Sequence, residues 1–395
     1  MKSYQKVLKK ILKKGVEKES GRANMPNTIG LSHAVIQMDL QKGFPLLTTK
    51  KMHWKGIVHE LLWFLRGETN IKYLIDNNCN IWNADAYRWY LKYAELNSPS
   101  STKRNILTDG EDGTDRIFTM EEFVFVVKNV GSKGLPVFEY EYEKYYTLGD
   151  LGKVYGHQWR NQNGVDQVAE VLDGLKNNPY SRYHIIDGWN KADFREMALP
   201  PCHLLYQFIV RPISTAERVK MYDNNGDMIH RVLGTAIFPE NVLYLGENNL
   251  FEVEYPDPIG IEYSQEDIDY LDAKNIPKFY LDLNMYQRSV DTALGCPYNI
   301  ASMSILLMLF AKVNNMIPSI ATWIGGDTHL YVNHIETAKE QITREPYPLS
   351  TLNINKELNS LEDILSLSID DFELVGYQSH PKINYELFVG LSKKA

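Results

Sequence analysis

A cysteine stands at the head of an apolar run in the segment ALPPCHLLYQF, residues 198–208. Prolines are accepted at the start of a strand but not inside a central one, so the pair before Cys202 predicts that a strand begins there. A free cysteine usually serves as a small buried apolar side chain. Near a cation it can instead act as a nucleophile. Arg288, in the segment YQRS, is one candidate for that cation, and the local sequence leaves both interpretations open.

An acid lies among the apolar positions of a predicted helix over residues 53–66, HWKGIVHELLWFLR. Glu60 is either solvated at the edge of the apolar stripe or buried with a raised pKa, which would suit proton transfer. Trp63 stands where the zinc-protease pattern HExxH has its second histidine, so no metal site is predicted here. The apolar stripe itself consists of Ile57, Leu61, Phe64 and Leu65.

Polar residues also cluster in QRSVDTALGCPYN, residues 287–299, where a predicted strand leads through a loop into a helix. Arg288 and Ser289 suit an anion such as a phosphate or a carboxylate. Asn299 carries a donor and an acceptor and can therefore recognise an amide-like edge. His329 and Tyr331, in GGDTHLYVNH, would share a face if they lay on a strand. Each of these residues taken alone also fits a purely structural role.

Composition excludes some classes of protein. The chain has 395 residues and a formal net charge of −8, which argues against a protein that coats nucleic acid or an anionic membrane. Cys79, Cys202 and Cys296 are too few and too scattered for a disulfide framework or a zinc site, so we expect a reducing cytoplasm, that of the host for a viral protein. No apolar run is long enough to span a bilayer, and ASMSILLMLFAKV predicts a buried helix. The basic N-terminus, MKSYQKVLKKILKKG, predicts an exposed amphipathic helix rather than a secretory signal.

The order of predicted elements gives a coarse organisation. Residues 26–50 predict a strand followed by a turn, YLDLNMYQRSV a strand, and TWIGGDTHLYVNHIETAKEQITRE a loop that leads into a helix. No glycine-rich motif of a dinucleotide or P-loop fold is present. Two segments of different composition, at about residues 88–149 and 211–278, are interpreted as insertions. The first contains a predicted strand at EEFVFVVKNV, and the second is predicted to be β-rich.

Several long motifs, taken together, closely resemble thymidylate synthase. The resemblance covers most of residues 1–87, 150–210 and 280–390. It implies an α/β (α+β) fold with a large twisted mixed sheet and flanking helices, as one domain over residues 1–395 carrying the two insertions. It also implies a homodimer with the two sheets packed back to back. The motifs are FPLLTTKKMHWKGIVHELLWFLRGETNIKYL, VYGHQWR, NPYSR, PPCH, YQRSVD, GCPYNIAS and GGDTHLYVNHIE.

The resemblance further implies the reductive methylation of dUMP by 5,10-methylenetetrahydrofolate, which supplies both the carbon and the hydride. Cys202 would add to carbon 6 of uracil, with Arg288 favouring its thiolate form. Glu60 would manage protons through ordered water, and Tyr155 would help to remove the carbon 5 proton. Asn299 would recognise O4 and N3–H of uracil. The implied nucleotide contacts are Arg22, Arg182 of the partner subunit, His203, Gln207, Arg288, Ser289, Asn299, His329 and Tyr331; the implied folate contacts are Lys50, His53, Ile81, Trp82 and Asp291.

Three features depart from the family pattern. Tyr183 stands where a second arginine is usual, ANMPNT follows Arg22 in place of a Thr/Gly run, and GLSKKA extends the C-terminal segment INYELFV. In the family that C-terminus helps to seal the site against water, and exclusion of water favours methylation. One alternative is therefore a dUMP hydroxymethyltransferase, in which water captures the methylene intermediate. Another is a non-catalytic relative that binds nucleotide or RNA, which the presence of Cys202, Glu60 and the residues around them disfavours.

Overall fold

The structure is a computed structural model that describes residues 1–21, 25–96, 117–130, 137–140, 144–224, 235–237, 242–245, 251–254 and 260–386. Its helices are α1 (Lys2–Lys14), α2 (Trp54–Leu65), α3 (Lys72–Asp76), α4 (Asn83–Leu96), α5 (Met120–Asn129), α6 (Tyr155–Asn161), α7 (Gln167–Asn177), α8 (Thr215–Asn224), α9 (Gln265–Ala273), α10 (Gly295–Val313), α11 (Ile335–Gln341) and α12 (Leu361–Leu365). Its strands are β1 (Val16–Lys18), β2 (Thr28–Leu31), β3 (Ala34–Asp39), β4 (Val137–Tyr140), β5 (Lys144–Thr147), β6 (Ile185–Asp187), β7 (His203–Pro212), β8 (Thr235–Ile237), β9 (Val242–Leu245), β10 (Phe251–Glu254), β11 (Gly260–Glu262), β12 (Phe279–Asp291), β13 (Ile317–Tyr331), β14 (Thr351–Ile354) and β15 (Phe372–Val375).

A seven-stranded sheet runs in the order β1-β2-β13-β12-β7-β6, and β3 also pairs with β13. Its strands bury alternate residues, as period-two side chains require. One face packs on α10, where Phe208 stacks on Phe310 with ring centroids 4.7 Å apart. The other face stays partly open, since Val35, Ile209 and Tyr286 are 56%, 38% and 41% exposed. The predicted fold class, a large sheet with flanking helices, is confirmed.

The predicted buried helix is α10. It is long and apolar enough to cross a membrane by length and composition alone, but 72% of the stretch is buried inside the fold. The helix predicted over residues 53–66 is α2, in which every residue from Gly56 to Leu65 is buried. These two helices also pack on each other. Both predictions are confirmed.

The predicted N-terminal helix is α1, and it is amphipathic. Its apolar residues Tyr4, Val7, Leu8 and Ile11 are buried. The Tyr4 hydroxyl donates to the carbonyl oxygen of Thr292 at 2.8 Å, which ties the helix to the loop after β12. The helix is therefore packed on one side, with its lysines exposed on the other.

Two predictions of local structure are wrong. EEFVFVVKNV forms helix α5 and not a strand, because Thr119 and Glu122 make a capping box that satisfies the first backbone N–H groups. The residues around Gly325 and Gly326 belong to β13 and not to a loop. A Cβ atom on Gly326 would lie 2.7 Å from the carbonyl oxygen of Arg288, so glycine here permits close approach of two strands.

The chain divides into two compact units. The first consists of residues 1–209, 281–314 and 318–395, and the second of residues 210–280 and 315–317. In the second unit β9 pairs with β10 and β8 with β11, as the predicted β content requires. That unit also contains α8 and α9, which surround a small core of Tyr222, Leu271 and Ile276, so the β-rich description is incomplete. The single-domain assignment with two insertions stays a prediction.

Candidate active site

A cavity of about 510 Å³ lies where β12 and β13 end and α10 begins. The first residues of β7 and side chains from α2 and α6 complete its wall. The candidate residues come from separate sequence motifs, and the fold brings most of them to this one cavity. Those that line it are Glu60, Ile81, Trp82, Tyr155, Cys202, His203, Ser289, Asp291, Asn299, His329 and Tyr331.

Cys202 precedes β7 directly and is partly accessible. Arg288, on β12, holds the segment before it: Nε donates to the carbonyl oxygen of Pro201 at 2.7 Å and Nη2 to that of Pro200 at 2.9 Å. Nη2 also lies 3.7 Å from Cys202 Sγ. A proline cannot donate a backbone hydrogen bond but still accepts one, so this segment suits attachment to a guanidinium. The sulfur thus faces a cavity beside a positive charge, which is the usual setting of a nucleophilic cysteine.

Tyr155 and His203 form the wall next to the sulfur. The Tyr155 hydroxyl accepts a hydrogen bond from the backbone N–H of Cys202 at 2.6 Å, and its ring stacks on His203 with centroids 4.2 Å apart. Burial raises the pKa of Tyr155 well above its usual range and lowers the pKa of His203 to about 3. His203 is therefore neutral at physiological pH, and its Nδ1 lies 2.8 Å from the Tyr206 hydroxyl.

Glu60 is buried, with only 9% of the residue exposed. Burial disfavours the carboxylate and raises the pKa of Glu60 to about 7. The indole N–H of Trp82 donates to Glu60 Oε1 at 2.8 Å, and this hydrogen bond lowers the pKa of Glu60, against the larger effect of burial. Of the two interpretations that the sequence left open, the structure supports the buried one. A carboxyl group with this pKa can both take up and release a proton near pH 7.

Asn299 is held by two residues that sequence analysis did not identify. Gln287 Nε2 donates to Asn299 Oδ1 at 2.9 Å, and Trp323 Nε1 donates to Gln287 Oε1 at 2.8 Å. This chain orients the Asn299 amide, which leaves Nδ2 as a donor and a second lone pair of Oδ1 as an acceptor. The sequence did contain a clue, since Gln287 continues the buried alternation of Leu283 and Met285 along β12.

His329 and Tyr331 share the cavity-facing side of β13, as predicted, with ring centroids 5.6 Å apart. Asp327 lies beside them, and its Oδ1 is 3.6 Å from His329 Nδ1 and 2.8 Å from Lys18 Nζ. The nearby imidazole of His329 and the ammonium group of Lys18 hold the pKa of Asp327 at about 2, well below its ordinary value. Lys18 also lines the cavity.

Asp291 is positioned at the end of β12. Its Oδ1 accepts hydrogen bonds from the backbone N–H groups of Ala293 at 2.8 Å and Leu294 at 3.3 Å. Lys50, by contrast, is buried behind the wall, where its Nζ donates to the carbonyl oxygen of Ala293 at 2.6 Å. Burial lowers the pKa of Lys50 to about 8. Ile81 lines the cavity and is 44% exposed.

Three further predicted residues of the described ranges do not line the cavity, and a fourth lies outside those ranges. His53 stands at the start of α2, and Gln207 lies on the opposite face of β7 from Tyr206. Arg182 is exposed on the loop before β6. Arg22 lies outside the described residues, as does the C-terminal extension at residues 390–395. Within the described part of the chain, no group of three or more His, Cys, Asp or Glu side chains is placed to hold a metal ion.

An accessible cysteine beside a guanidinium, facing the same cavity as a buried glutamate that titrates near neutrality, defines a cysteine-dependent enzyme site. Comparison with known proteins gives the family. The family model described as thymidylate synthase matches residues 2–236 and 270–389, and the chain belongs to that family. The resemblance predicted from the motifs is thereby confirmed.

Relatives match nearly the whole chain. The thymidylate synthase of Mesoplasma florum is 34% identical over 389 residues, which cover 98% of this chain and 100% of the relative. That of Malacoplasma penetrans is 36% identical over 391 residues, with coverage of 98% and 100%. That of Mycoplasma genitalium is 36% identical over 386 residues, with coverage of 97% and 98%.

Proposed function

We propose that this protein is a methyltransferase that converts dUMP to dTMP, with 5,10-methylenetetrahydrofolate as the donor of both carbon and hydride. The observation that carries the proposal is the position of Cys202 Sγ, 3.7 Å from the Arg288 guanidinium and on the wall of a cavity that also contains Glu60 and Asn299. Family membership supports the same reaction. A site that only bound nucleotide would require no nucleophile of this kind.

Cys202 forms the covalent bond in this proposal. Carbon 5 of uracil is a weak nucleophile until Sγ adds to carbon 6 and places an enolate on the ring. The positive charge of Arg288 favours the thiolate that attacks. Carbon 5 then bonds to the one-carbon unit, and loss of the carbon 5 proton expels tetrahydrofolate and leaves an exocyclic methylene on the ring. Hydride from that tetrahydrofolate reduces the methylene to a methyl group as Sγ leaves carbon 6, which gives dTMP, dihydrofolate and free Cys202. Tyr155, whose hydroxyl oxygen already contacts the Cys202 backbone, supports removal of the carbon 5 proton.

Glu60 manages the protons of the reaction, in keeping with its pKa of about 7. One carboxyl oxygen of Glu60 accepts the hydrogen bond from Trp82. Proton exchange with the substrates uses the rest of the carboxyl group and runs through water within the cavity. His203 is neutral and takes no part as an acid at physiological pH. It supports the base pocket through its stack on Tyr155.

The base is uracil rather than cytosine in this proposal because of the orientation of Asn299. Gln287 donates to one lone pair of Oδ1 and so orients the amide, with Nδ2 available to meet O4 of uracil and the second lone pair of Oδ1 available to meet N3–H. An N–H donor matches the O4 acceptor of uracil and opposes the amino group of cytosine. His329 and Tyr331 bind the ribose hydroxyl, and Ser289 lies toward the phosphate.

The phosphate and the folate require further groups. Among the described residues, Lys18 is the only lysine or arginine that lines the cavity, and it is paired with Asp327. A phosphate dianion therefore requires additional cations. We propose that Arg22 and Arg182 of the partner subunit supply them. Asp291, Ile81 and Trp82 line the cavity and suit the folate, and His53, directly before α2, is proposed as a further folate contact. Lys50 would act on the folate indirectly, through its hydrogen bond to the carbonyl oxygen of Ala293 in the loop after Asp291.

Contribution of Arg182 across subunits requires a homodimer. The proposed homodimer is supported by the partly open face of the sheet, where Val35, Ile209 and Tyr286 are exposed. A second layer of structure is needed to bury an apolar sheet face of this kind. A cytoplasmic location is proposed with it, because all three cysteines are free.

Product analysis tests the proposed function. Incubation of the protein with dUMP and 5,10-methylenetetrahydrofolate should give equal amounts of dTMP and dihydrofolate, separated by chromatography. The Cys202→Ser variant should retain less than about one thousandth of the turnover, since it keeps the shape but loses the thiolate. Formation of 5-hydroxymethyl-dUMP with tetrahydrofolate would contradict methylation. Full turnover by the serine variant would contradict the assignment of the nucleophile.

A further inference from the structure

Helix α1 presents a strongly basic surface on a protein that is acidic overall. Residues 2–19 contain seven lysines and two glutamates, a formal charge of +5 in a chain of net charge −8. The exposed face of the helix is formed by lysines alone, and within the described ranges only Lys2 has an ion-pair partner, Glu345 at 3.0 Å. The exposed lysines of α1 are Lys2, Lys6, Lys9, Lys10, Lys13 and Lys14.

Packing of the helix does not require this arrangement. The buried side of α1 is held by its apolar residues and by Tyr4, and any polar side chains would serve on the other side. Lysines four residues apart, such as Lys6 and Lys10 or Lys10 and Lys14, repel each other and weaken a helix. Only those in the last turn gain from the helix dipole. The uniform charge therefore points to a role outside the helix itself.

The C-terminal end of α1 leads to the active-site cavity. Lys14 and Lys18 line a surface groove of about 500 Å³ beside β2. Lys18 and Asp327 line both this groove and the cavity, so the two adjoin at this ion pair. An α-helix rises 1.5 Å per residue, so Lys14 is closer to the groove than Lys2 by about 18 Å along the helix.

We propose that the lysine face of α1 steers the anionic nucleotide into the cavity. The inference rests on the proposed function, in which the substrate carries a phosphate dianion. The field of exposed lysines extends for about one Debye length, roughly 10 Å at 0.1 M salt and roughly 20 Å at 0.02 M salt, and it raises the rate at which an anion reaches the cavity mouth. The groove adjoins the cavity at the ion pair of Lys18 and Asp327, and Asp327 contacts His329, the proposed ribose ligand. The nucleotide, rather than the folate, is therefore the substrate that approaches by this route.

Two double variants on the same helix test the inference. Lys13→Gln/Lys14→Gln removes two charges next to the groove, and Lys2→Gln/Lys6→Gln removes the same charge at the far end. The association rate constant of dUMP is measured by stopped-flow quenching of tryptophan fluorescence at 0.02 M and 0.5 M salt. For charges about 12 Å from the phosphate, the first variant should bind dUMP about fourfold more slowly at low salt and within about 1.5-fold of wild type at high salt. The second should stay within about 1.5-fold of wild type at both salt concentrations.

The nucleoside deoxyuridine, which lacks the phosphate, serves as the matched ligand and should associate at the same rate with all three proteins. Equal slowing by both variants, or slowing that persists at 0.5 M salt, would overturn the steering role. Slower association of methylenetetrahydrofolate with unchanged association of dUMP would overturn the choice of nucleotide. A wild-type protein that binds no dUMP would refute the proposed function and the inference together, whereas salt-independent binding of dUMP refutes the inference alone.

Discussion

Replacement of Glu60 by glutamine should stabilise the protein at alkaline pH while it removes activity. Burial raises the pKa of this carboxyl group from its ordinary value of 4.5 to about 7. Between these two pH values the folded protein keeps a proton that the unfolded chain has released, so stability falls as the pH rises through this interval. Each pKa unit corresponds to about 1.4 kcal/mol, so ionised Glu60 costs the folded state about 3 kcal/mol above pH 7. Glutamine has the same shape and no charge, and it avoids this cost.

The glutamine variant also keeps the local hydrogen bond. Its side-chain oxygen can accept from the indole N–H of Trp82 as the carboxylate does, so no buried donor is left without a partner. The free energy of unfolding, measured by urea denaturation, should rise by about 3 kcal/mol relative to wild type at pH 8.5 and by less than about 1 kcal/mol at pH 5. Turnover of dUMP should fall by at least about 100-fold at both pH values, because the variant cannot exchange a proton.

The comparison between the two pH values is what tests the argument. The exposed Glu170→Gln on α7 changes the net charge by the same amount and should shift the free energy of unfolding by less than about 0.5 kcal/mol at either pH. An equal gain for Glu60→Gln at pH 5 and pH 8.5 would show that its effect comes from packing, and the argument from burial would be refuted. Loss of stability at pH 8.5 would refute it as well.

Two further predictions concern neighbouring hydrogen bonds. Trp82→Phe keeps an aromatic ring but removes the N–H that favours the ionised form of Glu60. The limb of the pH–rate profile that reports Glu60 should therefore move to higher pH by about one unit, and an unchanged profile of kcat/KM between pH 5 and pH 9 would contradict this. Gln287→Met leaves the amide of Asn299 free to rotate. Competitive inhibition by dCMP should then strengthen by roughly tenfold, and the KM for dUMP should rise. Inhibition constants equal to those of wild type would show that Gln287 does not orient the amide.

Local sequence patterns singled out several side chains that the fold brings to one cavity. Cys202 follows two prolines at a strand start, and Glu60 interrupts an apolar helical stripe. Gln287 was missed because its role depends on Asn299 and Trp323, which lie 12 and 36 residues away and meet it only in the folded protein. No local pattern specifies such a contact.

The errors in the fold prediction have the same kind of origin. The segment of α5 is rich in valine and phenylalanine, which favour strands, but the capping box at Thr119 starts a helix and outweighs that preference. Two adjacent glycines in β13 resemble a loop in sequence. In the fold, Gly326 packs against the backbone of Arg288 on the neighbouring strand, and the sequence alone does not show this contact. Propensity describes a residue in isolation, whereas both outcomes depend on partners.

The close approach at Gly326 bears directly on catalysis. Arg288 is useful only if its guanidinium is held beside the sulfur, and its side chain is fixed by the carbonyl oxygens of Pro200 and Pro201. Its own backbone N–H donates to the carbonyl oxygen of Cys202 at 2.8 Å, so strand pairing and side-chain contacts place the same two residues together. The prolines therefore do more than end a strand, because they give the arginine acceptors that carry no competing donor. Cys202, Arg288 and the proline pair form one structural unit, and its position where β7 begins leaves the sulfur open to the cavity.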